Sequence, residues 1–256
     1  MTIHFVVNHL EETKMKTYFA FLLSFFLLPL TAAHAQQSFE TDTFDLGQKK
    51  LVIHFIGHGT LMLDYDGLII HVDPVGRYAD YTQLPKADII LITHQHQDHL
   101  DKEAIAKILS AKTRIILNRA SCDILGFGKA MANGDTITIK DVKITAVPAY
   151  NTTKGRDKFH PKGRDNGYVL EIGEKKIYIA GDTEDIPEMK QLKNIDIAFL
   201  PMNQPYTMTA KQLVNAVKVI KPRIVYPYHY ADSDLSALPQ LLKGIKGTEL
   251  RIRRMN

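Results

Sequence analysis

The stretch Ile89-Ile90-Leu91-Ile92-Thr93-His94-Gln95-His96-Gln97-Asp98-His99 decides how this chain is read. Its apolar first third reads as a buried strand, and the polar remainder as the loop at the strand's end. That loop holds four side chains able to ligate a metal, from His94 to His99. In an extended segment residues i and i+2 project to the same side, so His94 and His96 can share one cation. Displaced by a turn, Asp98 and His99 can face a second cation beside the first. Imidazole nitrogen and carboxylate oxygen suit Zn2+ and its first-row neighbours. A solvated loop with chance histidines is the plain alternative, and the strand before the loop speaks against it.

Composition sets the bounds. With 256 residues the chain can form one large domain or two small ones, and 45% hydrophobic with 23% charged residues is ordinary for a globular protein. A formal net charge of +4 is too mild to argue for a nucleic-acid partner. The short basic run Arg251-Ile252-Arg253-Arg254 reads as a solvated end. Cys122 is the single cysteine, which excludes an intramolecular disulfide and a Cys-rich metal site. Near the start, Lys14 and Lys16 precede an apolar run from Tyr18 to Leu28, then Pro29 and the small-x-small site Ala33-His34-Ala35. Residues 1–35 are therefore expected to be a signal peptide, with Met15 as an alternative start, cleaved after Ala35. Export to a periplasm follows. The run falls short of the ~20 apolar residues of a membrane span, so no stable anchor is expected after cleavage.

Working outward, residues 36–50 are polar and read as an extended N-terminal arm. Leu51 to Ile56 reads as a strand, Gly57-His58-Gly59-Thr60 as the turn after it, and residues 61–65 and 68–72 as a hairpin about Asp66-Gly67, ended by Asp73-Pro74. Beyond the metal-capable loop the pattern gives a helix over 102–110 and strands over 114–117, 136–139 and 142–148. A Gly- and charge-rich loop spans 151–164, and strands follow over 168–172 and 176–180. Strand 195–200, helix 210–220, strand 223–226, helix 235–243 and strand 250–252 close the order. Two sheets face to face with helices outside would bury both apolar faces, although periodicity alone supports only a mixed α and β fold. Two further candidate ligands sit at strand ends. Asp182 lies in Ala180-Gly181-Asp182-Thr183, where a turn or helix cap is the alternative, and His229 follows Ile224-Val225-Tyr226-Pro227-Tyr228, where a packed loop histidine is the alternative.

The pattern His94-x-His96-x-Asp98-His99 resembles the ligand motif of the metallo-β-lactamase superfamily, and the resemblance covers nearly all of the chain after about Lys50. Taken with Gly57-His58-Gly59-Thr60, Asp73-Pro74 and Gly181-Asp182-Thr183, it is most similar to the ascorbate-phosphate lactonase-like branch, itself akin to the N-acyl phosphatidylethanolamine phospholipase D group. The resemblance implies an α+β fold over residues 51–256, an αββα sandwich of two mixed sheets flanked by helices, with its site at one edge between the sheets. It implies two divalent metal ions, Zn2+ first, with Mn2+ or Fe2+ accepting the same ligands. His94, His96 and His160 would hold one, Asp98, His99 and His229 the other, and Asp182 would bridge them. Relatives often carry a histidine directly after Val-Pro-Ala, whereas here Val147-Pro148-Ala149 leads into Tyr150-Asn151 and the next histidine is His160.

The implied activity is hydrolysis of a small lactone or phosphodiester-type substrate by a water whose pKa the cations lower. Asp98 would take its proton or hold its orientation. The commonest β-lactamases carry Cys where Asp182 stands, so antibiotic hydrolysis is not expected. His58 would orient a ligand from behind or merely pack, and His54 and His71 read as structural. Asn203, Tyr206 and Tyr230 are candidate substrate contacts, and Lys154, Arg156, Lys158, Lys162 and Arg164 would favour a phosphate or carboxylate. Two other classes compete: a non-catalytic metal-binding or sensing protein on the same fold, and an RNA-processing nuclease, which the signal-like start and the lack of a basic surface oppose.

Overall fold

The computed structural model describes residues 38–255, and the signal-peptide reading of residues 1–35 lies outside them. The first half of the described chain makes one seven-stranded sheet. Strands β1 (Glu40–Leu46), β2 (Lys49–Gly57), β3 (Thr60–Tyr65) and β4 (Leu68–Val72) form an antiparallel meander. Strands β5 (Ile89–Ile92), β6 (Arg114–Leu117) and β7 (Lys129–Ala130) then add in parallel, with α1 (Lys102–Ile108) and α2 (Arg119–Leu125) as crossovers. The second half repeats this order. β8 (Thr136–Ile139), β9 (Val142–Ala149), β10 (Asp165–Ile172) and β11 (Lys175–Ile179) form the meander. β12 (Ile197–Pro201), β13 (Ile224–Tyr228) and β14 (Glu249–Leu250) add in parallel, crossed over by α3 (Ala210–Ile220) and α4 (Leu238–Leu242).

The sheets pack face to face, with Ile53, Leu63, Ile70 and Leu91 of one meeting Ile144, Leu170, Ile177 and Phe199 of the other in a single core. Helix α1 covers the outside of the first sheet, and α3, α4 and a 3-10 turn at Pro187–Gln191 cover the second. This is the αββα sandwich. Strand β5 shows why its sequence is apolar without alternation: Ile89 and Leu91 enter the inter-sheet core while Ile90 and Ile92 lie under α1. A strand buried on both faces needs apolar residues at every position. Each such side chain contributes about 1.5–3 kcal/mol, so β5 and the loop at its end are firmly placed. Helix α3 is set by a capping box of Thr209 and Gln212 and ends at Lys221 in the left-handed region. Its buried Leu213, Val214, Ala216, Val217 and Ile220 fall on one face.

Several segments differ from expectation: besides β7 and the turn at Pro187–Gln191, which have no counterpart in the sequence reading, and β14, which covers 249–250 and not 250–252, three are informative. Residues 40–46, read as part of an arm, form a full edge strand, all seven paired with β2. Their half-buried positions alternate as Asp42, Phe44 and Leu46, and an inward aspartate masks the strand pattern. Helix α2 escapes the sequence reading because Ser121 is its only buried residue, so there is no apolar stripe to detect; Asn118 and Gly126 cap it. Helix α4 is a short piece over 238–242, not 235–243. Among the described residues no helix is long and apolar enough to cross a membrane.

Candidate metal centre

The ends of the buried strands bring the candidate ligands to one edge of the sandwich. The loop after β5 carries His94, His96, Asp98 and His99, Asp182 lies just past β11, and His229 follows β13 directly. His160 arrives from the β9–β10 loop. Its carbonyl accepts the Asn151 N–H at 2.9 Å, so residues 152–159 are an excursion that returns His160 to the end of β9. The histidine thereby lies beside Tyr150-Asn151.

Two groups form. The ligand atoms of His94, His96 and His160 lie within 4.8 Å of one another, as do those of His58, Asp98, His99 and His229, and Asp182 joins His94 and His99. In the first group His94 Nε2 stands 3.1 Å from His96 Nδ1. Asp182 Oδ2 stands 3.4 Å from His160 Nε2 and 3.8 Å from His94 Nε2. In the second, His229 Nε2 is 3.2 Å from Asp182 Oδ2 and 3.6 Å from Asp98 Oδ2. His99 Nε2 is 3.5 Å from Asp182 Oδ1 and 3.8 Å from Asp98 Oδ2. Nitrogen and oxygen ligands about 2.1 Å from a tetrahedral cation stand roughly 3.4 Å apart, and both groups bracket that spacing. His99 Nε2, Asp182 Oδ1 and His229 Nε2 are buried and meet no partner in hydrogen-bonding geometry. Such atoms destabilise a fold by about 1–3 kcal/mol each, so their convergence fits a cation.

Residues behind the groups aim them. Asp73, fully buried, accepts from the Thr93 N–H and hydroxyl, both at 2.7 Å, and lies 2.8 Å from His99 Nδ1. A proton on Nδ1 turns Nε2 of His99 towards the cluster. Asp165 does the same for His160 at 3.1 Å, and Arg164 braces Asp165 through Nε and Nη2 at 2.7 and 2.8 Å. His94 Nδ1 faces the Thr93 hydroxyl at 3.0 Å. Glu184, also fully buried, accepts from the backbone of Thr152 and Thr153 and from Arg156, which fixes the start of the His160 loop. Gly59 is required by space, since a Cβ there would meet His99 Cε1 at 2.8 Å. Gly181, before Asp182, sits at φ 64° with Asn166 O only 2.8 Å from where a Cβ would stand.

The electrostatics follow from carboxylates and imidazoles crowded away from water. Burial disfavours a charged His229, yet Asp182 and Asp98 outweigh it and raise its pKa to about 10. Burial likewise works against charge on Asp98, but His229 and His58 hold its carboxyl far below the usual range. His94 is pushed well down by burial and by its neighbour His99. A proton on His229 thus balances the carboxylates, and a cation taking its place would release it.

The other candidates have different places. His58 sits at φ 53° within the second group, its Nε2 3.1 Å from Asp98 Oδ2. Tyr206 is 44% exposed and meets Phe159 edge-on at 5.0 Å, and its carbonyl accepts from Asn151 Nδ2. Asn203 closes a turn on Thr207. Tyr230 is not offered to a substrate: its hydroxyl is engaged by Arg253 O and Met255 N–H. The basic loop is largely neutralised, as Arg156 pairs with Glu184, Lys162 with Glu188 and Arg164 with Asp165. Asp73, Asp165, Thr93 and Glu184 also serve the site, although the sequence reading does not place them there. Asp73 carried the same signal as Asp182, an aspartate just past a buried apolar strand.

Comparison with known proteins shows the family. A model of the Beta-lactamase superfamily domain matches residues 52–229. The UPF0173 metal-dependent hydrolase of Nanoarchaeum equitans is 35% identical over 188 residues, covering 70% of this chain and 83% of that protein. The one from Pyrococcus abyssi is 30% identical over 217 residues, covering 78% and 94%. The crystal structure of a candidate metal-dependent hydrolase from Parabacteroides distasonis is 56% identical with a TM-score of 0.84, over 86% of this chain and 100% of that one. The chain belongs to the metallo-β-lactamase superfamily, among its metal-dependent hydrolases.

Proposed function

We propose that the protein hydrolyses a small lactone or phosphodiester-type substrate with two divalent cations. His94, His96 and His160 would hold one and Asp98, His99 and His229 the other, with the Asp182 carboxylate between the two groups. The observation that carries this reading is the pair of facing ligand groups that share one buried carboxylate. Zn2+ is the proposed ion, with Mn2+ and Fe2+ suited to the same donors. When bound, two such cations lower the pKa of a water and neutralise charge developing on a substrate oxygen.

The chain's own residues supply position. The Asp98 side chain is 39% exposed against 3% for Asp182, so Asp98 is the carboxylate that an arriving water and substrate meet first. His58 fixes that carboxylate from one side, which leaves Asp98 the role of orienting the water. The substrate class rests on the likeness to the lactonase-like branch and on Asp182 standing where the commonest β-lactamases have Cys. With most of its cations paired, the loop at 151–164 adds little to phosphate selection. Export is proposed on the composition of residues 14–35 alone, and N-terminal sequencing of the protein from fractionated cells tests it.

Elemental analysis of protein purified without chelator should give two metals per chain. Turnover of a simple lactone or a bis-aryl phosphodiester should then be abolished by a chelator and restored by Zn2+ or Mn2+, with an RNA control uncleaved. One metal or none after incubation with either ion would overturn the two-cation reading. Inertness of the fully loaded protein towards all three compounds would overturn the hydrolase reading and favour a binding or sensing role.

A further inference from the structure

The segment Arg251–Met255, which follows β14, is tied down at several points. Asp42 in β1 accepts from Arg251 Nη1 at 3.1 Å, from Arg253 Nε and Nη2 at 3.0 and 2.7 Å, and from the Tyr226 hydroxyl. Glu40 accepts the Arg254 N–H at 2.6 Å. Tyr230 donates its hydroxyl to Arg253 O and accepts the Met255 N–H, both at 2.8 Å. Met255 is buried, and its carbonyl accepts the N–H of His58. The carbonyl of His58 in turn accepts the N–H of His229 at 2.8 Å.

These bonds hold His58 in a conformation that it would not keep unaided. A non-glycine residue at φ 53° lies in the left-handed region that side chains other than glycine adopt only sparingly. Its ring centroid lies 3.7 Å from that of His229 and 5.6 Å from that of Tyr78, and its Nε2 reaches Asp98 Oδ2 at 3.1 Å. His58 therefore touches two residues of the second ligand group. The bracing partners of the first group, Thr93 and Asp165, belong to other elements.

We propose that residues 251–255 are a positioning strap for the second cation position alone, acting through His58 on Asp98 and His229. Without the Met255 carbonyl the turn at His58 can relax out of the left-handed region, and the ring then leaves Asp98. The Asp98 carboxylate gains rotamers, and the His229 backbone loses the bond that fixes it at the end of β13. Both changes start at Asp98 and His229 and meet His94 and His160 only at second hand, through Asp182 and His99. The inference rests on the two-cation reading.

Stepwise Co2+ titration of the metal-free full chain, followed by its visible d–d absorption, tests it. Wild-type protein must take up two tight equivalents; if it takes up fewer, the two-cation reading has failed, whatever the strap does. Given two, Tyr230→Phe and Asp42→Asn should weaken one equivalent roughly 10- to 100-fold and leave the other within about twofold. His58→Ala should show the same pattern, and His58→Gln, whose amide can donate to Asp98, should recover part of the loss. Far-UV circular dichroism confirms that each variant is folded. A folded Tyr230→Phe protein that binds both equivalents as tightly as wild type, or loses both alike, would overturn the strap.

Discussion

The two halves of this protein run through the same seven-strand order, yet they serve the site differently. The β2–β3 turn carries His58, and its counterpart, the β9–β10 loop, carries His160. Asp73 follows β4 as Asp182 follows β11, and Asn118 follows β6 as His229 follows β13. In each pair the second-half residue is a proposed ligand, while the first-half residue stands behind a ligand or, for Asn118, behind the Asp165 that braces one. His58 reaches Asp98, Asp73 reaches His99, and Asn118 donates towards Asp165. The first half instead concentrates its ligands in the loop after β5. The counterpart loop after β12, residues 202–208, contains no His, Cys, Asp or Glu. A strand end thus fixes that a side chain reaches the site, and residue type and reach decide whether it meets a cation or braces a ligand.

The largest effect that could break this comparison comes from the two aspartates. Asp182→Ala should lower kcat/KM by about a thousandfold or more and remove bound metal, because both groups lose their shared oxygen. Thermal unfolding should stay cooperative, since the inter-sheet core is untouched. At the counterpart position Asp73→Asn should weaken metal affinity only about 10- to 100-fold and leave measurable turnover when metal is in excess. Equal losses from both substitutions would show that the bracing role assigned to Asp73 is wrong. Next in size is His160→Ala, which should leave one metal per chain by elemental analysis, whereas His58→Ala in the counterpart turn should leave two at saturating metal. Two metals retained in the His160→Ala protein would mean that another group replaces it.

The same comparison explains what was legible in the sequence. The loop after β5 announces itself because four ligands sit within one short loop behind an apolar run, and local spacing needs no tertiary knowledge. The second-half ligands are single residues after separate strands, readable only once the sandwich is assumed from the family resemblance. The bracing residues were hardest to find. Asp165 opens β10 ahead of its apolar run and looks like surface charge until His160 is seen 3.1 Å away. Glu184 looks like one more acid near Asp185, yet it is fully buried and holds Thr152, Thr153 and Arg156. For the fold, apolar strands and the stripe of α3 were clear, whereas β1 was hidden by Asp42, whose partners Arg251 and Arg253 lie at the far end of the chain. Sequence spacing cannot show a pairing of that range.

The smallest predicted effect again sets one half against the other. His71 and Tyr178 hold the same position in β4 and β11, each beside the first parallel strand and on the outer face of its sheet. Burial pushes the Tyr178 hydroxyl further up, so it stays neutral at any ordinary pH. Burial lowers the pKa of His71 to about 4, from an ordinary 6.5. Its Nε2 faces the Pro85 carbonyl at 3.1 Å, and its buried Nδ1 has no partner to receive a second proton. The unfolded chain therefore binds a proton below pH 6.5 that the folded chain refuses until about pH 4. Stability from this group is complete above pH 6.5 and falls as the pH drops towards 4, by at most about 3 kcal/mol. Urea unfolding of metal-free wild type and His71→Phe across that window should show the wild type losing stability more steeply. Working without metal keeps acid release of a cation out of the difference, so parallel curves for the two proteins would mean that His71 is not the acid-sensitive group of the first half.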